Sequence, residues 1–244
     1  MIIKIQIDTI LPWEYSETMK KEITIYHGSN KIIKTPEYGA GSSFNDYGRG
    51  FYCTPHVDIA KEWAVSNTRD GYTNEYILNL QGLHILDLCA EKYNILHWLT
   101  ILLQNRTFDI QSDFGDEAKK YLIEHFGIAY QDYDVIVGYR ADDSYFSFAQ
   151  DFLNNAISLK QLSRAMYLGE LGKQVVIKSQ KAFSNLTFVE AYYAEREIWH
   201  PQKLERDSRA RHKYFESCRE PWKKGEIYMM QILEREMGSD DICI

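Results

Sequence analysis

Cysteine is scarce and scattered. The chain has four, Cys53, Cys89, Cys218 and Cys243, and no two form a CxxC pair. That excludes zinc ribbons and dithiol redox motifs, which need closely spaced thiols. The histidines show no HxxxH or related ligand spacing, so no metal is expected. Long apolar runs are missing too. The longest, Leu99 to Leu103 beside Trp98, is far too short to cross a bilayer. No charged-then-apolar leader opens the chain; Ile3, Ile5 and Ile7 instead alternate with Lys4, Gln6 and Asp8, as in a strand. There is no excess of basic charge. The net charge of −7 gives no overall attraction to phosphate backbones or anionic membranes. Repeats and low-complexity tracts are also absent. These features predict a protein of a reducing, cytoplasmic compartment with no membrane partner.

What remains is an ordinary globular composition, with 45% apolar and 26% charged residues, enough for one large domain or a domain with an extension. Aromatic residues reach 14% and include 18 tyrosines, which suits core packing and also stacking on flat ligands. One segment breaks the acidic balance. Between Lys203 and Lys224 there are eight Lys or Arg against four Asp or Glu, which reads as a solvated helix face or as a partner or nucleic-acid contact.

Periodicity predicts strands at Ile23–His27, Gly50–Thr54, Glu75–Leu80, His84–Leu88, Asp134–Tyr139 and Gln174–Ser179. It predicts helices at Asp58–Thr68, Tyr93–Arg106, Glu117–Phe126, Ser144–Asn154 and Leu159–Leu168. Pro55 suits the turn before the first helix, with Asp58 as its N-cap. From about Ala191 the pattern becomes charged and helical, broken at Pro201 and Pro221. Strands and helices without strict β-α-β alternation indicate an α+β fold. The division expected is a domain over 1–190 and a helical C-terminal extension over 191–244 packed on it.

Two stretches carry chemistry. "ITIYHGSNK" delivers His27 to the end of a strand and follows it with Gly28 and Ser29. His27 is either a core histidine bonded to a nearby carbonyl or one half of a ligand grip shared with the bare backbone at Gly28. "FNDYGRGFYCTPHVDIAKEWA" places a glycine turn ahead of Phe51 and Tyr52, and Trp63 follows Tyr52 by eleven residues on a helix. Strand alternation sends Phe51 and Tyr52 to opposite faces, so one ring is expected in a cleft.

Together these stretches resemble the ADP-ribosyltransferase superfamily, in its His-Tyr branch of diphtheria-like toxins and poly(ADP-ribose) polymerases. "YHGS", "GRGFYCT" and Trp63 match that branch in order and spacing. The chain is also similar to an uncharacterised bacterial family of that clan through its "DYGRGFY", "WA", "NR" and "VIVGYRADD" blocks, over roughly Ile23 to Phe188.

The resemblance implies the superfamily's split β-sheet core with flanking helices, and NAD as a substrate. It implies that Gly28 holds the nicotinamide carboxamide through its main chain, that His27 binds the adenosine-side ribose, and that Tyr52 and Trp63 stack on the nicotinamide. Ser29 would meet a ribose hydroxyl. Arg49, inside the glycine turn, either meets the pyrophosphate or is an exposed turn arginine. The third family motif is usually a Glu at a strand start; here that place holds Gln174, in "GELGKQVVIKS". Glutamine can hydrogen-bond a ribose hydroxyl but cannot carry charge or take a proton. Glu170 and the Asp142–Asp143 pair are substitute candidates, and the pair also suits a helix cap. Arg106 and Arg140 have no spacing argument of their own. The expected catalytic residues are therefore His27, Tyr52 and Gln174. The function implied is mono-ADP-ribosylation of an unidentified intracellular macromolecule, protein or nucleic acid, by a toxin or defence effector with a cognate antitoxin. The alternatives are an NAD glycohydrolase or an inactive NAD- or partner-binding module.

Overall fold

The computed structural model describes residues 21–110, 112–140, 143–165, 172–220 and 224–242. It is an α+β structure. The strands are β1 (Glu22–Ser29), β2 (Phe51–Cys53), β3 (Gly71–Asn79), β4 (Ile85–Asp87), β5 (Val135–Tyr139), β6 (Lys173–Ile177) and β7 (Leu186–Ala194). The helices are α1 (Val57–Ala64), α2 (Ile95–Asn105), α3 (Asp113–Phe126), α4 (Asp143–Leu153), α5 (Leu159–Ala165), α6 (Gln180–Ser184), α7 (Arg196–Cys218) and α8 (Met229–Glu234).

Among the described residues two sheets form, in the orders β1-β3-β7 and β2-β6-β5-β4. All described pairs are antiparallel except β4 with β5. That pair is joined through α2 and α3, the long crossover that parallel strands require. The sheets are linked where Tyr26 and Thr54 exchange backbone hydrogen bonds of 2.8 and 2.9 Å.

The β-branched runs of β5 and β6 are apolar on both faces because both faces are buried. Val135, Val137, Val175 and Ile177 pack toward the first sheet with Ile25, Tyr76 and Leu78. Ile136 and Val176, one residue out of phase, pack toward the helices with Trp98, Leu99, Leu122 and Phe148. Helix α2 begins on a capping box: the Asn94 side chain accepts from Leu96 N, and Asn94 N donates to His97 Nδ1 at 3.1 Å.

Several sequence expectations are corrected. The α1 N-cap position is His56, which makes no side-chain cap bond; Asp58 lies in the first turn and pairs with Lys61 at 3.5 Å. Residues 191–194 are not helical, because β7 continues its pairing on β3 as far as Ala194 opposite Gly71. Pro201 does not break the following helix, since α7 runs from Arg196 to Cys218. Proline gives up one backbone donor, and here that loss falls near the start of a helix held by tertiary contacts. The strand expected over Ile3–Ile7 and the last residues of the helix expected to end at Leu168 lie outside the described residues, as does Pro221.

Helix α7 is fastened to the body by charge as well as by packing. Arg206 makes a bidentate contact with Glu62 of α1, with Nη2–Oε1 at 2.7 Å and Nε–Oε2 at 3.1 Å. The Glu62 side chain is 2% exposed, so this pair is buried. Farther along, Tyr214 stacks on Phe148 of α4 with ring centroids 3.7 Å apart. Among the described residues no helix is long and apolar enough to cross a membrane.

Candidate functional site

A cleft of about 780 Å³ opens beside the ends of β1 and β2. Its walls come from β1, the loop between β1 and β2, α1, β6 and α7. His27, Gly28, Tyr52, Trp63 and Gln174, all expected from sequence, line it together.

His27 is bonded to a nearby carbonyl, as the first of its two readings has it, and it also lines the cleft. Its Nδ1 lies 2.7 Å from the carbonyl oxygen of Tyr52. A carbonyl only accepts, so Nδ1 carries the proton, and in the neutral ring Nε2 is left as an acceptor. Burial lowers the pKa of His27, opposed in part by that hydrogen bond. The ring also lies 4.2 Å from Phe51, centroid to centroid. It is a packed, oriented histidine that still reaches the cleft.

Glycine at 28 has a packing reason besides the expected ligand approach. A Cβ there would meet the Ala60 carbonyl oxygen at 2.1 Å, Ala64 N at 2.7 Å and Trp63 Cβ at 2.8 Å. Glycine is needed so that α1 can lie directly on β1. The main chain of Gly28 still suits ligand binding. Tyr26 turns its N–H and C=O away from β3 to Thr54, and two-residue alternation puts those of Gly28 on the same edge, beyond the point where β2 covers it. Asn74, fully buried, holds the turn that follows. Its side chain donates to the carbonyls of His27 and Lys31 at 3.3 and 3.2 Å and accepts from Ile33 N at 2.8 Å.

Tyr52 is fixed at its hydroxyl, which donates to Gly48 O at 2.6 Å and accepts from Tyr47 N at 3.0 Å. Burial raises the pKa of Tyr52, so it stays a neutral donor. Gly48, at φ +70°, supplies the left-handed residue that this turn needs. Phe51 and Tyr52 do point to opposite cores, yet both line the cleft, because β2 is an edge strand. Trp63 lies under the Arg140 guanidinium, 4.6 Å from its ring centroid. Its indole Nε1 is buried with no hydrogen-bond partner among the described residues. An orphaned donor beside a cleft is a group that a bound ligand can satisfy.

Gln174 is the second residue of β6, only 4% exposed, and its Nε2 lies 3.4 Å from Asp46 Oδ2. Asp46 also faces Arg106, with Nη1–Oδ1 at 3.4 Å. Asp46, Arg106 and Arg140 in the cleft wall, and Asn74 behind it, are the residues that sequence reading missed or left without a role. Asp46 sits inside the quoted "FNDYGRGFY" block, but its partner is 128 positions away and no local pattern joins them.

Two expected residues lie elsewhere. Arg49 is exposed and lines a separate depression of about 140 Å³ with Lys178, whose pKa burial lowers to about 8. Ser29 ends β1, where its hydroxyl accepts from Lys31 N at 3.4 Å, and it is not among the residues lining the cleft. Glu170 and Asp142 lie outside the described residues, as does the side chain of Asp143, which begins α4.

The cleft's charge runs against that of the whole chain. Lys31, Arg106, Arg140, Lys203 and Arg211 line it against Glu37, Asp46 and Asp207, on a chain of net charge −7. Low-dielectric walls focus such a field and favour an anionic ligand.

Fold and site thus define a mixed α+β protein with an electropositive cleft at the edges of two sheets. The chain belongs to a family described as a protein of unknown function (DUF3990), whose model matches residues 23–188. Every cleft residue from His27 to Gln174 falls within that span, whereas Lys203, Asp207 and Arg211 of α7 lie beyond it. No curated protein and no solved structure matches the chain.

Proposed function

We propose that this cleft binds NAD and that the protein is a mono-ADP-ribosyltransferase with an ADP-ribosyltransferase-like split-sheet core. The observation that carries the reading is convergence: His27, Gly28, Tyr52, Trp63 and Gln174, singled out as one family's motifs, lie apart in sequence and line one cleft. The cleft volume of about 780 Å³ is in the range of small-molecule and cofactor sites.

Each residue has a chemical role in this reading. The free main-chain edge at Gly28 takes the nicotinamide carboxamide. Tyr52 and Trp63 flank the flat ring, with Tyr52 held rigid by its two hydroxyl contacts. Neutral His27 accepts a ribose hydroxyl at Nε2. Arg140 and the lysine and arginine of α7 take the role first given to Arg49, neutralising the pyrophosphate. In the reaction the C1′–N bond breaks and its electron pair leaves with nicotinamide. An acceptor nucleophile then bonds to C1′ and releases its proton to solvent. The chain contributes positioning and electrostatic stabilisation of the cationic ribose.

The test is incubation of the protein and a cell lysate with NAD labelled in the adenine-ribose half. Label on a macromolecule supports transfer. Free ADP-ribose alone replaces transfer with hydrolysis. Unchanged NAD overturns the enzymatic reading. The acceptor, and a neutralising antitoxin, are sought from the labelled species and its binding partners.

A further inference from the structure

Gln174 stands where the resemblance calls for a carboxylate, and the structure places a carboxylate against it. Asp46 lies on the loop before β2, only 6% exposed, and lines the same cleft. Its two oxygens face different partners: Oδ1 the Arg106 guanidinium and Oδ2 the Gln174 amide, each at 3.4 Å. A carboxylate cannot donate. The amide atom that faces it must therefore be Nε2, and Oε1 is left as the acceptor. Without such a neighbour, a glutamine amide could present either end.

We propose that Asp46 is the carboxylate of this site, acting through Gln174 as a positioning residue. It fixes the amide with Oε1 toward the ribose hydroxyl and supplies from the loop the negative charge that β6 lacks. The family glutamate's work is divided between two residues: Gln174 accepts the hydroxyl, and Asp46 carries the charge that stabilises the cationic ribose. This rests on the NAD reading above.

The division predicts an unusual mutant series. Asp46→Asn removes the charge, and asparagine can donate as well as accept, so it no longer dictates the orientation of the amide. Nicotinamide release should fall roughly 10- to 100-fold in kcat, with KM for NAD little changed, as expected for loss of a charge-assisted contact. Gln174→Glu, which restores the residue type of the family motif, should not help by itself. It sets two buried carboxylates face to face, and one of them is held protonated. Its folded-state pKa is then raised, so stability is present at low pH and lost as pH rises through that value. Turnover should fall with pH in the same way. The double variant D46N/Q174E exchanges amide and carboxylate and restores the hydrogen bond in the opposite sense. It should regain at least about tenfold over the weaker single variant, a coupling of the size double-mutant cycles find for contacting residues.

The experiment measures nicotinamide release and thermal melts from acid to alkaline pH for the wild type, both single variants and the double. Recovery in the double, together with a melting temperature that falls with rising pH in Q174E and not in the double, supports the pair. Additive losses, or matching pH profiles for Q174E and the double, overturn it. A wild type that cleaves no NAD overturns the transferase reading and the ribose role with it. Additive variants of a wild type that does cleave NAD overturn the pairing alone.

Discussion

Gly28→Ala places one methyl group where the fold leaves no room. The new Cβ would sit 2.1 Å from the Ala60 carbonyl oxygen, 2.7 Å from Ala64 N and 2.8 Å from Trp63 Cβ. None of these atoms is the far end of a flexible side chain, so no rotamer change relieves the contact. Strand β1 and helix α1 must part by more than about 1 Å to reach an ordinary separation. Overpacking of this kind costs about 1–3 kcal/mol, and backbone contacts put Gly28→Ala near the top of that range. For a chain of this size, about 3 kcal/mol corresponds to a drop in Tm of roughly 6–12 °C. The assay is thermal and urea unfolding of wild type and variant, followed by circular dichroism. A Tm within about 1 °C of wild type would place Gly28→Ala among neutral surface changes and refute the claim that this glycine exists to let α1 approach.

Substitutions at Trp63, Arg206 and His27 test the site and its supports. Trp63→Ala should weaken NAD binding by about 0.5–1.5 kcal/mol more than Trp63→Phe, which keeps a π face; calorimetric titration reads the difference. Trp63→Phe should also leave stability nearly intact, because the indole N–H has no partner to lose among the described residues. Arg206→Met leaves Glu62 buried without its counter-charge and should cost about 3–5 kcal/mol in urea unfolding, whereas replacing both residues with leucine should restore much of the loss. His27 has a folded-state pKa below its ordinary value because of burial. Its contribution to stability is therefore full above the ordinary imidazole pKa and is lost as pH falls through the lowered one. His27→Gln should flatten the decline of Tm on acidification; part of the slope should remain, because burial lowers the pKa of His97 as well.

Much of the framework was legible because its signals are local. The β-branched runs of β5 and β6 read as strands and are buried on both faces. The histidine-glycine end of β1 and the glycine turn before Tyr52 were readable because each motif lies within a few residues. What escaped reading depends on distance in sequence. Asp46 gains its meaning from Gln174 and Arg106, and Asn74 from a loop 41 residues earlier. Strand β7 has no counterpart among the strands expected from sequence, and its end, "AYYAEREI", runs without a break into a charged helix. Pairing with β3, not local pattern, decides where the strand stops. Arg49 was the natural choice for a phosphate contact from its place in the glycine turn, but the turn carries it to the other side of Gly50, which borders both the cleft and the smaller depression.

The central claim is that the cleft of His27, Tyr52 and Trp63 holds NAD. Calorimetric titration of NAD into the wild type and into His27→Ala, with folding checked by circular dichroism, tests it most directly. The account predicts saturable binding by the wild type and an affinity loss worth about 0.5–1.5 kcal/mol, or more if a buried partner is stranded, in the variant. No binding by the folded wild type, or equal affinity in both proteins, would contradict it.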